Sequence, residues 1–180
     1  MTFVVPKTDR GVDLVFVGRK FESLGPWEEP GDGFDDEVPI EAAQYELRAA
    51  GNALSVWLAP EDNPKRHLGL AIAATRRNLN GFGVAWVRLE ELHNLGVSWT
   101  ITPPQGQRIP YLQKRHVDLL RLDAFRWAKV ASAFGTAVKS GNSEIFSKDD
   151  LVKILREESE KKWFPGFHGW PKEIRDDLGL

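Results

Sequence analysis

The amino-acid sequence predicts a single α+β domain over residues 1–180, with a mostly antiparallel sheet of roughly five strands and helices packed on one face. Short β-branched runs lie mainly before residue 103, and longer segments of helical period follow, giving a helical C-terminal half from about residue 109. The chain is 42% hydrophobic and 28% charged, a composition typical of one globular domain. A crossover helix between the predicted hairpin and the fourth strand would make the sheet mixed, so both strand arrangements stay open.

The first predicted strand, Val12–Val17, is a short β-branched run that ends at Gly18. The composition then changes, because residues 21–46 contain nine acidic residues, three prolines and no Lys or Arg. This pattern predicts a long acidic loop at about residues 22–43. The loop has two interpretations, which are an insertion that aids solubility and a surface that attracts a basic protein partner.

Residues 44–59 (QYELRAAGNALSVWLA) have the pattern of a β-hairpin. A two-residue turn at Gly51-Asn52 would place apolar residues opposite one another on one face, as in the pair of Leu47 and Val56. The other face would present Trp57 to solvent or to a partner.

Four further elements are predicted before residue 103. Asn63 and Pro64 are capping and first-turn signals for a helix that ends near Gly81, although the alternation of its apolar residues also fits a strand. The following periodicity predicts a strand, a short helical turn and another strand, at residues 83–89, 90–95 and 97–102.

Three helices are predicted in the C-terminal half. The first has a wide apolar side, the second begins with Ser147 and Asp150 at capping-box spacing, and the third is the segment KEIRDDL between a proline and a glycine. Their predicted ranges are residues 111–139, 147–163 and 172–178.

The residue types disfavour several kinds of chemistry. The chain has no cysteine, which excludes disulfides, thiolate metal sites and cysteine nucleophiles. The four histidines are not at ligand spacing, and no phosphate-binding glycine motif or serine-hydrolase motif occurs, so we expect no metal and no cofactor. No secretory signal and no run of eighteen apolar residues is found, which predicts a cytoplasmic protein without membrane contact.

Two sets of polar residues support alternative functions. In the predicted helix 111–139, bases and an aromatic ring lie along one face, where the ring could stack on a nucleobase while the cations bind phosphates. A solvated face with local ion pairs is the competing interpretation. The basic-face candidates are Arg76, Arg77, Lys114, Arg121, Phe125 and Lys129. A catalytic set could also be assembled from Glu90, Glu91, His93 and Arg77, because imidazole titrates near neutrality.

The segment 163–170, WFPGFHGW, is unusually rich in aromatic residues. It could form an aromatic clamp for a ligand or a peptide, with the imidazole as its polar group. Alternatively, its rings complete the apolar stripe of the preceding helix and cover the edge of the core. The candidates for partner or ligand binding are Trp57, Trp163, Phe167, His168 and Trp170.

These observations predict a small cytoplasmic interaction or regulatory module that acts by contact with a protein partner and without catalysis. Nucleic-acid binding through the basic residues is the first alternative, and an enzyme of unrecognised type is the second. The sequence contains no feature that indicates the oligomeric state.

Overall fold

The structure, a computed structural model, describes residues 3–29, 40–49 and 51–180. It contains strands and helices in alternation, with one 3₁₀-helix. The elements are β1 (Phe16–Phe21), α1 (Gly25–Glu28), α2 (Ile40–Glu46), β2 (Leu54–Ala59), α3 (Pro64–Ala73), β3 (Phe82–Arg88), α4 (Leu89–Asn94), β4 (Ser98–Ile101), the 3₁₀-helix (Pro110–Arg115), β5 (His116–Leu120), α5 (Ala124–Lys139), β6 (Ser143–Phe146), α6 (Lys148–Ser159) and α7 (Lys172–Leu178). Residues 30–39 of the predicted acidic loop lie outside the described residues.

The strands form one six-stranded sheet in the order β4-β5-β2-β1-β3-β6, and every neighbouring pair is antiparallel. The centre of the sheet is β1, whose Phe16 lies opposite Ala59 of β2 on one side and Arg88 of β3 on the other. The predicted α+β class is therefore confirmed. The sheet has six strands where about five were expected, and the mixed arrangement does not occur among the described strands.

Helices cover both faces of the sheet, which corrects the prediction that they lie on one face. One hydrophobic core, the α5-side core, lies between the sheet and α1, α2, α4 and α5 and includes Val17 and Phe134. The other, the α3-side core, lies between the sheet and α3, α6 and α7 and includes Val84 and Leu155. Strand β3 shows this arrangement, because residues 82–87 are all buried, as in a strand that is covered on both faces.

Helix α3 packs closely on β1 because residue 18 has no side chain. A Cβ atom at Gly18 would lie 2.3 Å from Cδ1 of Leu68, a buried side chain in α3. Asn63 caps the helix, since its side chain accepts a hydrogen bond from the backbone N–H of Arg66 at 3.3 Å, and Pro64 occupies the first turn. The predicted helix is thus confirmed in place of the alternative strand, but it ends at Ala73 and not near Gly81.

The predicted hairpin at residues 44–59 is wrong in its first half. Residues 40–46 form α2, and β2 pairs with β1 and β5 instead of with its own preceding segment. Gly51 and Asn52 do have the positive φ angles of the predicted turn, +59° and +60°. The pairing predicted for Ala50 lies outside the described residues.

The predicted helix 111–139 is also wrong in its first half. It divides into the 3₁₀-helix, the strand β5 and the helix α5. The break lies at Arg121, which has φ of +57°, and Asp123 then caps α5 by accepting a hydrogen bond from the N–H of Arg126 at 2.8 Å. With β5 and β6 in it, the C-terminal half is less helical than predicted.

Other elements lie where the sequence places them, within a few residues. The first strand is shifted to Phe16–Phe21, and β3, α4 and β4 match the three predicted elements of residues 83–102. In α6 the capping box is complete, because Ser147 and Asp150 each accept a hydrogen bond from the other's backbone N–H. Helix α7 forms as predicted and ends at Gly179 in the left-handed conformation.

Candidate functional site

Trp57 does not lie on an exposed surface, which corrects the expectation that it faces solvent or a partner. Its residue surface is 8% exposed, and the indole packs in the α3-side core. The imidazole of His116, opposite it on β5, contacts the indole edge to face with a centroid distance of 4.9 Å. The reason is the pairing of β2, which has neighbours on both sides and helices on both faces.

The aromatic segment 163–170 packs against the α3-side core through a continuous set of ring contacts. Trp163 and Phe167 are half-buried, while Trp170 is buried and contacts Phe167 at a centroid distance of 5.2 Å. His168 is exposed. The rings therefore cover the edge of the core, and the imidazole does not join them in a cleft.

The basic-face candidates do not share one helix face. Lys114 lies in the 3₁₀-helix and forms an ion pair with Asp9 at 2.7 Å, and Arg121 lies in the turn after β5. Arg76 stacks over the ring of Phe82 at 5.2 Å, and Arg77 is exposed in the loop after α3. The single basic face predicted for residues 111–139 is therefore wrong, because the segment is not one helix.

Two of the candidates, Phe125 and Lys129, do come together at the start of α5. Phe125 is 69% exposed, and the Nζ atom of Lys129 lies over its ring, 4.4 Å from the centroid. They belong to a groove of about 440 Å³, here called the α4–α5 groove, which is lined by Glu91, Leu95, Phe125, Ala128, Lys129, Ser132, Ala133 and Thr136. Apolar and small side chains form much of this surface.

The geometry of the α4–α5 groove is held by the contacts at the start of α5. The guanidinium of Arg126 donates a hydrogen bond to the carbonyl of Gly96 at 3.1 Å and forms an ion pair with Asp123 at 2.5 Å. Gly96 follows α4 and Asp123 caps α5, so Arg126 connects the end of α4 to the start of α5. Leu92 of α4 and Val130 of α5 are both buried in the α5-side core.

Sequence reasoning identified Phe125 and Lys129 but missed the rest of the groove. On α5, Ala128, Ser132 and Thr136 lie at four-residue spacing, which places them in a stripe beside the apolar one. A stripe of small residues next to an exposed aromatic residue is a signal that the sequence contains. The position of this stripe beside α4 is set by tertiary structure, which the local sequence pattern does not contain.

A second cavity, of about 270 Å³, is lined by Arg19, Lys20, Glu22, Tyr45, Glu46 and Arg48. Its buried polar groups bind each other. The Glu46 carboxylate accepts hydrogen bonds from the N–H groups of Glu22 and Ser23 at 2.9 and 3.1 Å. Arg19 donates to the carbonyls of Glu46 and Ser55, and its pKa is lowered by burial although the Glu46 charge acts to raise it. These contacts explain the cluster as a structural connection between β1 and α2.

The residues proposed for a scattered catalytic set do not converge. Glu90, Glu91 and His93 lie on α4, which packs in the α5-side core, and the ring of His93 contacts Phe3 at 5.1 Å. Arg77 follows α3 on the other face of the sheet. Within residues 3–29, 40–49 and 51–180, no group of three or more His, Asp or Glu side chains is arranged to hold a metal ion.

Comparison with protein-family models, with curated proteins and with solved structures finds no match to this chain. None of the described helices has the length and apolar character that a bilayer-spanning segment requires. The assignment of function therefore depends on the surfaces described above.

Proposed function

We propose that this protein is a non-catalytic interaction module that binds a partner protein through the α4–α5 groove, with Phe125 as the central contact. The observation that supports this most is the exposure of Phe125, at 69%, beside an apolar groove. Large aromatic side chains dominate the energetics of protein interfaces when they insert into a partner. An aromatic residue held outside the core therefore favours a binding role over a folding role.

The shape and chemistry of the groove favour an amphipathic helix as the part of the partner that binds. The small side chains along α5 allow a second helix to approach closely, and Leu95 and Ala133 provide apolar contacts. Lys129 and Glu91 add one charge of each sign at this surface, so a partner with an acidic and a basic residue beside its apolar stripe would be complementary.

The test compares two exposed apolar residues on different elements. Phe125→Asp introduces a charge into the proposed interface, whereas Ile145→Asp introduces the same charge at a similarly exposed position on β6, 66% exposed. Tagged full-length proteins are expressed at native level in the host, and nuclease-treated extracts are analysed by quantitative mass spectrometry. A stoichiometric partner should be recovered with wild type and with Ile145→Asp, and lost with Phe125→Asp.

Both variants alter surface positions, so circular dichroism should show thermal unfolding midpoints close to that of wild type. Recovery of the same partner with Phe125→Asp would contradict the proposal, as would the absence of any stoichiometric protein with wild type. Untreated extracts are analysed in parallel, and a partner recovered with wild type only from the untreated extracts would favour the nucleic-acid alternative.

A further inference from the structure

Arg115 is a buried cation at the junction of the 3₁₀-helix and β5. Its residue surface is only 6% exposed. Nη1 lies 3.1 Å from Nδ1 of His67, and Nε has no hydrogen-bond partner within the described part of the chain. A buried guanidinium without an anionic partner is costly, because its charge has lost hydration and gained no counter-charge.

The acidic residue whose charge acts on Arg115 is Glu158, and two other cations already bind it. Its Oε1 atom accepts hydrogen bonds from Nη2 of Arg66 and Nζ of Lys161, both at 2.7 Å. Arg66 also pairs with Glu157 at 2.6 Å. Among these five side chains three cations face two carboxylates, and the guanidinium of Arg115 is the one with no ion pair among the described residues.

Two further side chains in contact with Arg115, those of Tyr111 and His67, are neutral. The guanidinium lies over the ring of Tyr111, 5.2 Å from its centroid, and that ring contacts Trp163 edge to face at 4.5 Å. Burial raises the pKa of Tyr111 to about 12, so the phenol keeps its proton at neutral pH. Burial, together with the charge of Arg115, lowers the pKa of His67 to about 4, so the imidazole is neutral and its Nδ1 accepts the hydrogen bond. Neither residue supplies a negative charge.

We propose that Arg115, with His67 and Tyr111, forms a binding site for a small oxyanion of the phosphate type. The Nε edge of a guanidinium, together with Nη2, presents parallel N–H donors that match two oxygens of such an anion. The imidazole of His67 is the hydrogen-bond partner of Nη1 of Arg115, whereas Nε of Arg115 has no partner in the described ranges. His67, Tyr111 and Trp163 are each half-buried, so the site lies just below the surface on the α3 side. It is separate from the α4–α5 groove on the opposite face and does not depend on the function proposed for that groove.

The experiment observes the guanidinium directly. Arginine Nε–H resonances of the full-length protein are recorded by ¹H–¹⁵N NMR while sodium phosphate is added at constant ionic strength, with sodium chloride as reference. The Arg115 resonance should shift saturably with phosphate and not with chloride. Calorimetric titration should show that Arg115→Lys lowers phosphate affinity at least ~10-fold, because lysine keeps the positive charge but lacks the two parallel N–H donors of the guanidinium.

Arg76→Lys is the matched control, because Nε of Arg76 is also buried without a partner, against the ring of Phe82. Its phosphate affinity should equal that of wild type. A parallel titration with adenosine monophosphate distinguishes the source of the anion, since tighter binding than inorganic phosphate identifies a phosphate ester and equal binding identifies free phosphate.

Two results would overturn the proposal. The first is the absence of a saturable shift of the Arg115 resonance with either compound, which would show that the buried charge has a structural role only. The second is equal phosphate affinity in wild type and Arg115→Lys. If Arg115→Lys fails to fold by circular dichroism, the wild-type NMR titration decides the question alone.

Discussion

The imidazole of His67 faces charges of both signs from several elements. Burial is the main cause of its low pKa, about 4, and Arg115 and Lys161 act in the same direction. Glu158 and Asp62 act to raise the pKa but do not compensate for burial. In the unfolded chain the same group titrates near 6.5. Folding is therefore coupled to the release of a proton at mildly acidic pH.

The first prediction is that His67 makes the protein less stable as pH falls from about 6.5 to about 4. In this range the unfolded state binds a proton at position 67 and the folded state does not, so the free energy of unfolding rises with pH. The full difference is about 3 kcal/mol. Urea denaturation at several pH values, for wild type and His67→Gln, measures it, because the glutamine oxygen can still accept a hydrogen bond but does not titrate. Parallel pH curves for the two proteins would contradict the assignment. The difference between the curves also removes the contribution of His116, whose pKa burial lowers as well.

Glu158 is the buried acid of the same region, 4% exposed, and it connects α6 to α3. Burial acts to raise the pKa of its carboxyl, but hydrogen bonds from Lys161 and Arg66 outweigh this effect, and the pKa lies below the ordinary value. The carboxylate is thus ionised at neutral pH and compensates two cations.

The second prediction is that Glu158→Gln lowers the free energy of unfolding by about 3 kcal/mol, since breaking a buried ion pair leaves a charge uncompensated. Urea denaturation at pH 7 measures the change. Glu160→Gln, an exposed substitution of the same type two residues away, is the control and should have an effect within about 0.5 kcal/mol of zero. Equal effects of the two substitutions would show that Glu158 contributes only as a surface charge.

At the scale of elements, the contact of α3 with β1 depends on Gly18 and Leu68, whose positions leave no space for a Cβ atom. The third prediction is that Gly18→Ala lowers the free energy of unfolding by about 1–3 kcal/mol through overpacking. Leu68→Ala alone should cost about 2–5 kcal/mol, because it removes buried side-chain volume. In the double variant the added methyl group fills part of the space that the leucine leaves, so its loss should be smaller than the two single losses added. Chemical denaturation of the four proteins gives this coupling, and strict additivity would contradict the proposed contact.

The sequence predicts elements well where their signals are local. The cap at Asn63, the capping box of α6 and the glycine that ends α7 are each complete within a few residues, and all three helices form. The turn geometry at Gly51-Asn52 is also local and is found. What fails is the choice of partner for β2, because β1, nearly forty residues earlier in the chain, pairs with it instead of the preceding segment. The local alternation of apolar and polar residues does not indicate whether a strand pairs with the preceding segment or with a distant strand.

The division of residues 111–139 fails for a similar reason. Val117 and Leu119 alternate as a strand requires, but Val117 together with Leu120 and Ala124 also fits a helical stripe that continues in later residues. The structure separates the two elements through the positive φ angle of Arg121, and Leu122 then donates a backbone hydrogen bond to the carbonyl of Asn52 at 3.0 Å. An arginine in the left-handed region is uncommon and has no sequence signal, so this break is set by tertiary contacts. The same error placed Lys114 and Phe125 on one helix face.

At the scale of the whole molecule, one sheet separates two cores. Its central strands contribute alternate side chains to both, as Val84 does on the α3 side and Ala85 on the α5 side. Neither core can be exposed without loss of a surface against which the other is formed. The sequence predicts a single domain, and this shared sheet gives a physical reason to expect cooperative unfolding.

The fourth prediction is that substitutions in either core destabilise both layers of helices equally. Leu92→Ala removes a buried side chain on the α5 side and Leu155→Ala removes one on the α3 side, and each should cost about 2–5 kcal/mol. Hydrogen exchange with mass spectrometry, at one urea concentration high enough for global unfolding to dominate exchange but below the unfolding midpoint of every variant, resolves peptides from α5 and α6 separately. Because the slow amides of both helices then exchange through global unfolding, each variant should accelerate both peptides by the factor that corresponds to its loss of stability. Acceleration of α6 alone in Leu155→Ala, with α5 at the wild-type rate, would show that the two faces unfold independently. That outcome would assign the helices of one face to a separate cooperative unit on a stable sheet.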